Sequence, residues 1–281
     1  MKRYISTSIV MTTILLGCSN LFENVAEKEF DKALYYQAQQ DVLNGEYDDA
    51  IDIITHDTSD DFQTKRKVKF LLSQAYAGAC GLDALDIITA IQDGASNILP
   101  IFLDAMTGTT VTDRGKCDLA ITTLETIGDS GERSASENFF MVFAAFARIG
   151  AYLSVSGDAD DDGAVDATFD PCDNTDLPSA QADAVVGSFA QALEALTDII
   201  ADGGDIGSSD IEDILDYCTT VSAINAAYDF CSQTDETTVT AQQRVVIRCL
   251  VDGPDLGFSI SGNDLATCID HAGGNTVCPG P

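Results

Sequence analysis

A nine-residue segment occurs twice in this chain, 34 residues apart. The first copy reads YDDAIDIIT (residues 47–55) and the second reads GLDALDIIT (residues 81–89). An internal repeat of this period predicts stacked helical hairpins, because each hairpin must bury its apolar face on the next one. The small residues Ala50 and Ala84 stand at equivalent positions, where they let two crossing helices approach closely.

The repeat resembles the tetratricopeptide repeat, which has the same period. Gly45, Tyr47 and Ala50 stand at the small and aromatic positions of such a unit, and CDLAITTL (residues 117–124) is a weaker third copy. The resemblance covers residues 26–127 and implies a concave surface for a partner protein or peptide. No proline closes the first unit, so an unrelated pair of helical hairpins stays as the alternative.

The rest of the chain also predicts helices. Ser134 and Glu137 form a capping-box pattern, which is followed by apolar residues at helical spacing: Phe139, Val142, Phe143, Phe146, Ile149 and Leu153. A second helix starts after Pro178 and stops at Gly203, and shorter helices are predicted near 210–217, 220–230, 239–250 and 263–271. The predicted fold class is all-α, with helical hairpins in a tetratricopeptide-like array in the N-terminal half and disulfide-linked helices in the C-terminal half.

The first 18 residues have the layout of a secretion signal. Lys2 and Arg3 precede a mostly apolar stretch that is too short to span a bilayer as a stable helix and that ends in LLGC at Cys18. This ending resembles the lipobox of bacterial lipoproteins, which implies that Cys18 receives a diacylglycerol and becomes the acylated amino terminus. Ser19 follows the cysteine instead of Asp, and by the family's sorting rule this implies the outer membrane. A plain signal peptide is the alternative.

Eight further cysteines predict disulfide bonds, because an even number of cysteines behind a secretion signal is typical of a disulfide framework. They are Cys80, Cys117, Cys172, Cys218, Cys231, Cys249, Cys268 and Cys278. No CxxC motif is present and the chain has only two histidines, which disfavours thioredoxin-like chemistry and mixed Cys/His zinc sites. Among the many connectivities, Cys80–Cys117 and Cys268–Cys278 are favoured.

The chain is strongly acidic, with a net charge of −32. Cleavage before Cys18 removes Lys2 and Arg3 and no acid, which moves the charge to −34. Such a charge repels nucleic acid and anionic lipid surfaces, suits divalent cations, and also serves simple solubility. The predicted organisation is a signal peptide (1–17), a lipid-anchored tether (18–25), helical repeats with the Phe-rich helix (26–155), an acidic loop (156–177) and a Cys-rich helical region (178–281).

The acidic loop contains GDADDDGAVDATFDPCDNTD, residues 157–176. Its DxDxDG spacing turns alternate oxygens toward one cation, and Gly at the sixth position permits a sharp turn. The expected calcium ligands are Asp158, Asp160, Asp162, Ala164 through its carbonyl, Asp166 and Asp170. An EF-hand would need Glu where Phe169 stands, and the loop is more similar to thrombospondin type 3 repeats, which implies structural Ca²⁺. A solvated acidic linker is the alternative.

One basic cluster stands out against this background, formed by Lys65, Arg66, Lys67 and Lys69. It is a candidate for binding acidic groups of a partner. The alternative is a set of internal ion pairs that balances nearby aspartates: Asp57, Asp60 and Asp61.

Enzyme signatures are scarce, since the chain has no HExxH, GxSxG or P-loop motif. The expected function is a non-enzymatic, lipid-anchored scaffold at the bacterial outer membrane, held in the membrane by its lipid and bound to an envelope protein or peptide, with no nucleic acid partner. The alternative is a ligand-capture lipoprotein that assists solute uptake.

Overall fold

The computed structural model describes residues 20–83, 98–203, 218–219, 221–223 and 225–251, with side chains from residue 29 onward except at 98–100. All regular structure in these residues is helical, which confirms the all-α prediction. The chain divides into two compact units, with the boundary between Ala75 and Tyr76.

The first unit contains three complete helices and the start of a fourth. They are α1 (Asn20–Asn44), α2 (Tyr47–Asp52), α3 (Asp60–Gln63) and α4 (Arg66–Cys80), with a π-helical turn at Ile53–Asp57. Gly45 takes a φ of 80°, a left-handed conformation that ends α1 and turns the chain into α2. Helix α1 begins at Asn20, inside the segment expected to be a tether.

The first copy of the sequence repeat folds as α2 followed by the π-helical turn. Ala50, Ile51, Ile53 and Ile54 are all buried, and the helix packs on α1 as the hairpin prediction requires. Most of the second copy lies outside the described residues, so the tetratricopeptide-like array stays a prediction.

The second unit is built around one long apolar helix. The helices in the described part of this unit are α5 (Ile98–Ala105), α6 (Val111–Glu125), α7 (Ala135–Gly157), α8 (Ser179–Ala201) and α9 (Ala241–Val251), with short 3-10 turns at Ala226–Tyr228 and Glu236–Thr238. Helix α7 packs on α5, α6 and α8, and α8 also packs on α9.

Aromatic rings connect these helices through the core. Phe102 of α5 stacks on Phe146 of α7 at 5.2 Å, Phe146 meets Phe189 of α8 at 5.8 Å, and Phe189 meets Phe230 at 6.1 Å. The edge-to-face contacts are the arrangement that aromatic rings favour. The Phe-rich stripe is therefore core except near the start of α7, where Phe139 is 47% exposed and Phe143 is half-buried.

The predicted start of α7 is confirmed. The Ser134 hydroxyl oxygen accepts a hydrogen bond from the Glu137 N–H, and the Glu137 carboxylate accepts one from the Ser134 N–H at 2.6 Å. Helix α8 starts directly after Pro178, and Gly203 with a φ of 83° follows its end, both as predicted.

Helices α7 and α8 are each long and apolar enough to cross a membrane. In both, 72% of the most apolar window is buried inside the fold, where the two helices pack on each other. Their apolar composition is that of core helices covered by neighbouring elements.

Disulfide bonds join elements of the second unit. Cys80 at the end of α4 is bonded to Cys117 of α6, which confirms that pairing, and Cys218 is bonded to Cys231. Cys172 and Cys249 are also disulfide-bonded. Cys268 and Cys278 lie outside the described residues.

Candidate functional site

The acidic loop is wound around one buried carboxylate, that of Asp158. Asp158 follows the last residue of α7 and is only 2% exposed. Its two oxygens accept hydrogen bonds from the N–H groups of Asp162 at 3.0 Å and of Gly163 at 3.1 Å. These bonds turn the chain back so that the next carboxylates converge on the first.

Three of the expected calcium ligands meet at this point. One carboxylate oxygen from each of Asp158, Asp160 and Asp162 lies within 4.8 Å of the others. The charge of Asp162 raises the pKa of the Asp160 carboxyl above its usual value, with smaller contributions from burial, Asp166 and Asp158. The raised pKa is the sign of carboxylates that repel one another, and a divalent cation between them would remove that repulsion.

The other expected ligands take different positions. The Asp166 carboxylate accepts a hydrogen bond from the Ala159 N–H at 2.8 Å and so closes the base of the loop. Ala164 is exposed, and its N–H donates to Asp162. Asp170 accepts a bond from the N–H of Cys172 and forms a separate turn, so the structure does not bring it into the Asp158 cluster.

Two contacts fix the loop on its own unit. A Cβ at Gly163 would lie 2.5 Å from the Asp104 Oδ1 of α5, so the loop backbone approaches this carboxylate as only glycine permits. The Phe169 ring lies against Gly157, close enough that a Cβ there would be 3.1 Å from it. Phe169, at the position where an EF-hand has its glutamate, therefore anchors the loop, and Asp104 is a carboxylate that the loop's sequence gave no means of finding.

The far end of the loop is held by α9. The Arg248 side chain is buried, and its Nη2 donates to Asn174 Oδ1 and to the Leu177 carbonyl oxygen, both at 2.9 Å. Both ends of the loop are thus anchored, while Asp160 and Asp162 are exposed to solvent. All oxygens in the cluster are hard ligands, which fits Ca²⁺ and does not fit a thiophilic metal.

The basic cluster lies in the first unit beside three aromatic rings. The Lys65 Nζ is 4.1 Å from the centroid of the Phe62 ring, and the Lys67 Nζ is 4.2 Å from that of Tyr35. The Tyr35 ring also contacts Phe62 and Tyr36 edge-on. Arg66 and Lys69 complete the cluster at the start of α4.

A buried polar network in the second unit was not found by sequence reasoning. Arg148, 5% exposed in the middle of α7, donates from Nε to Asp118 at 2.6 Å, from Nη2 to Glu236 at 2.7 Å and from Nη1 to the Ser188 hydroxyl at 3.3 Å. The Tyr152 hydroxyl also donates to Asp118. The sequence feature that could have indicated this network is a single arginine in the middle of a mostly apolar helix.

Electrostatics explains why a charge is tolerated there. Burial by itself lowers the pKa of Arg148, but Asp118 and Glu236 outweigh it and the pKa is raised, so the guanidinium is firmly charged. Because every partner comes from a different element, we interpret this network as a tie between α6, α7, α8 and the Glu236 turn.

Comparison with known proteins adds no relative on which to base a function: the chain matches no protein-family model, no curated protein and no solved structure.

Proposed function

We propose that the mature chain is a non-enzymatic, lipid-anchored interaction module of the bacterial outer membrane. The observation that carries this proposal is the exposed surface of α1. The side chains of Phe30, Tyr36 and Leu43 are 61%, 63% and 73% exposed. Helix α1 starts two residues after the proposed lipid attachment site at Cys18. Large apolar side chains on an otherwise acidic surface support a role in contacting a partner protein.

The anchor proposal predicts the location of the protein. Cys18→Ala removes the thiol that would carry the lipid, and several acyl chains are what hold such a protein firmly in a bilayer. We expect this variant to lose incorporation of a fatty-acid probe and to leave the membrane fraction, as measured by metabolic labelling and cell fractionation. Cys18→Ser serves as a second variant, and unchanged labelling of either one would contradict the proposal.

The interaction proposal predicts a specific cross-link. A photoreactive amino acid replacing Tyr36 should trap a defined envelope protein on irradiation of intact cells. The same amino acid replacing the exposed Thr122 of α6 serves as the matched control. Equal cross-linking from the two positions, or none from Tyr36, would contradict a partner-binding role for α1.

We further propose that the acidic loop binds Ca²⁺ as a structural ion. Asp158, Asp160 and Asp162 would supply the clustered carboxylates, and Asp104 lies close to the loop at Gly163. The Ala164 carbonyl and Asp166 stay candidate ligands on the basis of the sequence spacing. The ion would offset the mutual repulsion of the carboxylates and hold the loop between its two anchored ends.

Calcium is accordingly expected to stabilise the second unit. A ligand that binds only the folded state adds RT ln(1 + [L]/Kd), about 2.7 kcal/mol at a hundred times Kd, which is roughly 5–10 °C for a unit of this size. Calorimetry should show this increase with calcium and a smaller one with magnesium, which gives up its water less readily.

Asp160→Ala combined with Asp162→Ala should abolish the stabilisation by calcium and leave the helical content unchanged. Asp57→Ala with Asp61→Ala removes the same charge elsewhere and should leave it intact. An equal melting temperature in calcium and in chelator for the unmodified protein would show that the loop is a solvated acidic linker.

A further inference from the structure

The exposed positive charge of the described residues is concentrated at one place. Arg133, Arg148 and Arg248 are buried, and Lys69, Arg114, Lys116 and Arg244 are half-buried. The cations of the described side chains that are exposed are Lys32, Lys65, Arg66 and Lys67, and Lys32 is paired with Glu29 at 2.8 Å. Among the described side chains, exposed positive charge is therefore densest at residues 65–67.

Aromatic rings hold two of these ammonium groups in place. The Lys65 Nζ lies over Phe62, and the Lys67 Nζ lies over Tyr35 and 5.7 Å from the Phe62 centroid. Phe62 is 2% exposed, so these ammonium groups rest on a ring that is part of the core. Lysine side chains fixed in this way lose less conformational entropy when they bind an anion than freely rotating ones.

The helix dipole does not account for the position of these cations. Arg66, Lys67 and Lys69 occupy the first turn of α4, which contains no acidic residue. The positive end of the helix dipole disfavours cations there. The dipole thus opposes this cluster, while ring contacts support Lys65 and Lys67.

Two exposed apolar side chains of α1 extend from the same surface, with Gln39 and Gln40 on the turn between them. Tyr36 is in edge contact with Tyr35, at 5.9 Å between ring centroids, and is itself exposed. Leu43 is seven residues further on the same helix and so lies on the same side of it, and it is exposed as well. The surface thus combines fixed cations with aromatic and aliphatic side chains. We define it as the cation–aromatic surface: Tyr35, Tyr36, Leu43, Lys65, Arg66 and Lys67.

We propose that the cation–aromatic surface binds a short acidic peptide segment of a partner protein, one that also carries aliphatic side chains. This inference rests on the proposed interaction function and names the chemistry of its partner. Carboxylates of the segment would pair with Lys65 and Lys67, and its aliphatic side chains would cover Tyr36 and Leu43.

The size of the cationic area favours a peptide over an extended polyanion. A membrane surface or an anionic polysaccharide presents charge over a large area and would be repelled by the acidic remainder of the chain. A short segment occupies only the few residues where the charge is positive. Leu43 adds an aliphatic contact that suits an aliphatic side chain of a peptide.

The test uses the full mature chain and a fluorescein-labelled peptide of alternating glutamate pairs and leucines. Anisotropy should show saturable binding that weakens as the salt rises to about 0.5 M. Lys65→Glu with Lys67→Glu should weaken binding by about tenfold or more, and Tyr36→Ala by roughly threefold. Lys116→Glu, a charge reversal on α6 in the second unit, serves as the control and should alter affinity by less than about twofold.

Control peptides separate the two parts of the surface. Replacing glutamate by glutamine in the peptide should remove binding, and replacing leucine by glycine should weaken it to the level of Tyr36→Ala. Circular dichroism of each variant verifies that the fold is retained.

Two outcomes would overturn the proposal. One is the absence of saturable peptide binding. The other is binding of heparin or of phosphatidylglycerol vesicles as tight as that of the peptide, which would assign the surface to a polyanion or a lipid. Either outcome, together with a specific envelope protein cross-linked from position 36 in cells, would leave the interaction function standing with a partner of different chemistry.

Discussion

Asp118→Asn combined with Glu236→Gln is expected to destabilise the second unit strongly, by about 3–5 kcal/mol. The double variant removes both countercharges of Arg148, whose side chain is 6% exposed. The guanidinium stays charged, because arginine is not deprotonated in proteins. A buried cation without a partner pays its full desolvation cost. Chemical denaturation at constant slope measures the change in the free energy of unfolding.

Replacing the arginine itself should decrease the free energy of unfolding by less than replacing its two acidic partners. Arg148→Met leaves behind Asp118 and Glu236, whose side chains are 35% and 44% exposed and can regain water. The triple variant with all three substitutions should recover much of the stability, because no uncompensated charge is then buried. Additive losses across these variants would show that the network is not coupled.

Gly150→Ala is expected to cost about 1–3 kcal/mol or more, because α5 and α7 touch at this residue. A Cβ here would lie 2.8 Å from the Phe102 carbonyl carbon and still closer to its oxygen. These are backbone atoms, which cannot rotate away as a flexible side chain can. Thermal denaturation should show a clear decrease in melting temperature with unchanged helical content at low temperature.

Gly115→Ala in α6 is the matched control. An added Cβ at Gly115 meets nothing within 4 Å. Alanine there lowers the entropy of the unfolded chain and should stabilise the protein by about 0.5–1 kcal/mol. An equal effect of the two substitutions would show that helix propensity, and not the approach of α5, governs residue 150.

The helix starts and turns of this fold could be predicted from the sequence, because they depend on residues that are close together in the chain. The capping box of Ser134 and Glu137, the start of α8 after Pro178 and the turn at Gly203 each depend on a spacing of a few residues. The convergence of Asp158, Asp160 and Asp162 is of the same kind, since alternate residues of one turn face one point.

The candidate sites could be predicted only in part, because some of their contacts join residues that are far apart in the chain. Asp170 was expected in the calcium shell, but a hydrogen bond to the Cys172 N–H gives it a turn of its own, and Asp104 approaches the loop from α5. For Lys65 and Lys67, the structure shows contacts with the Phe62 and Tyr35 rings, which spacing alone did not suggest.

Sequence alone determined that the described chain is helical, where α7 and α8 start, and which acidic residues share a turn, because periodicity, capping and turn chemistry are local. Tertiary structure decided that Arg148 would be neutralised by residues 30 and 88 positions away, and that Gly150 would be the contact between α5 and α7. The physical reason is that the helices that pack together determine which residue neutralises a buried charge and which backbone lies against a glycine. That packing depends on all residues of the core together.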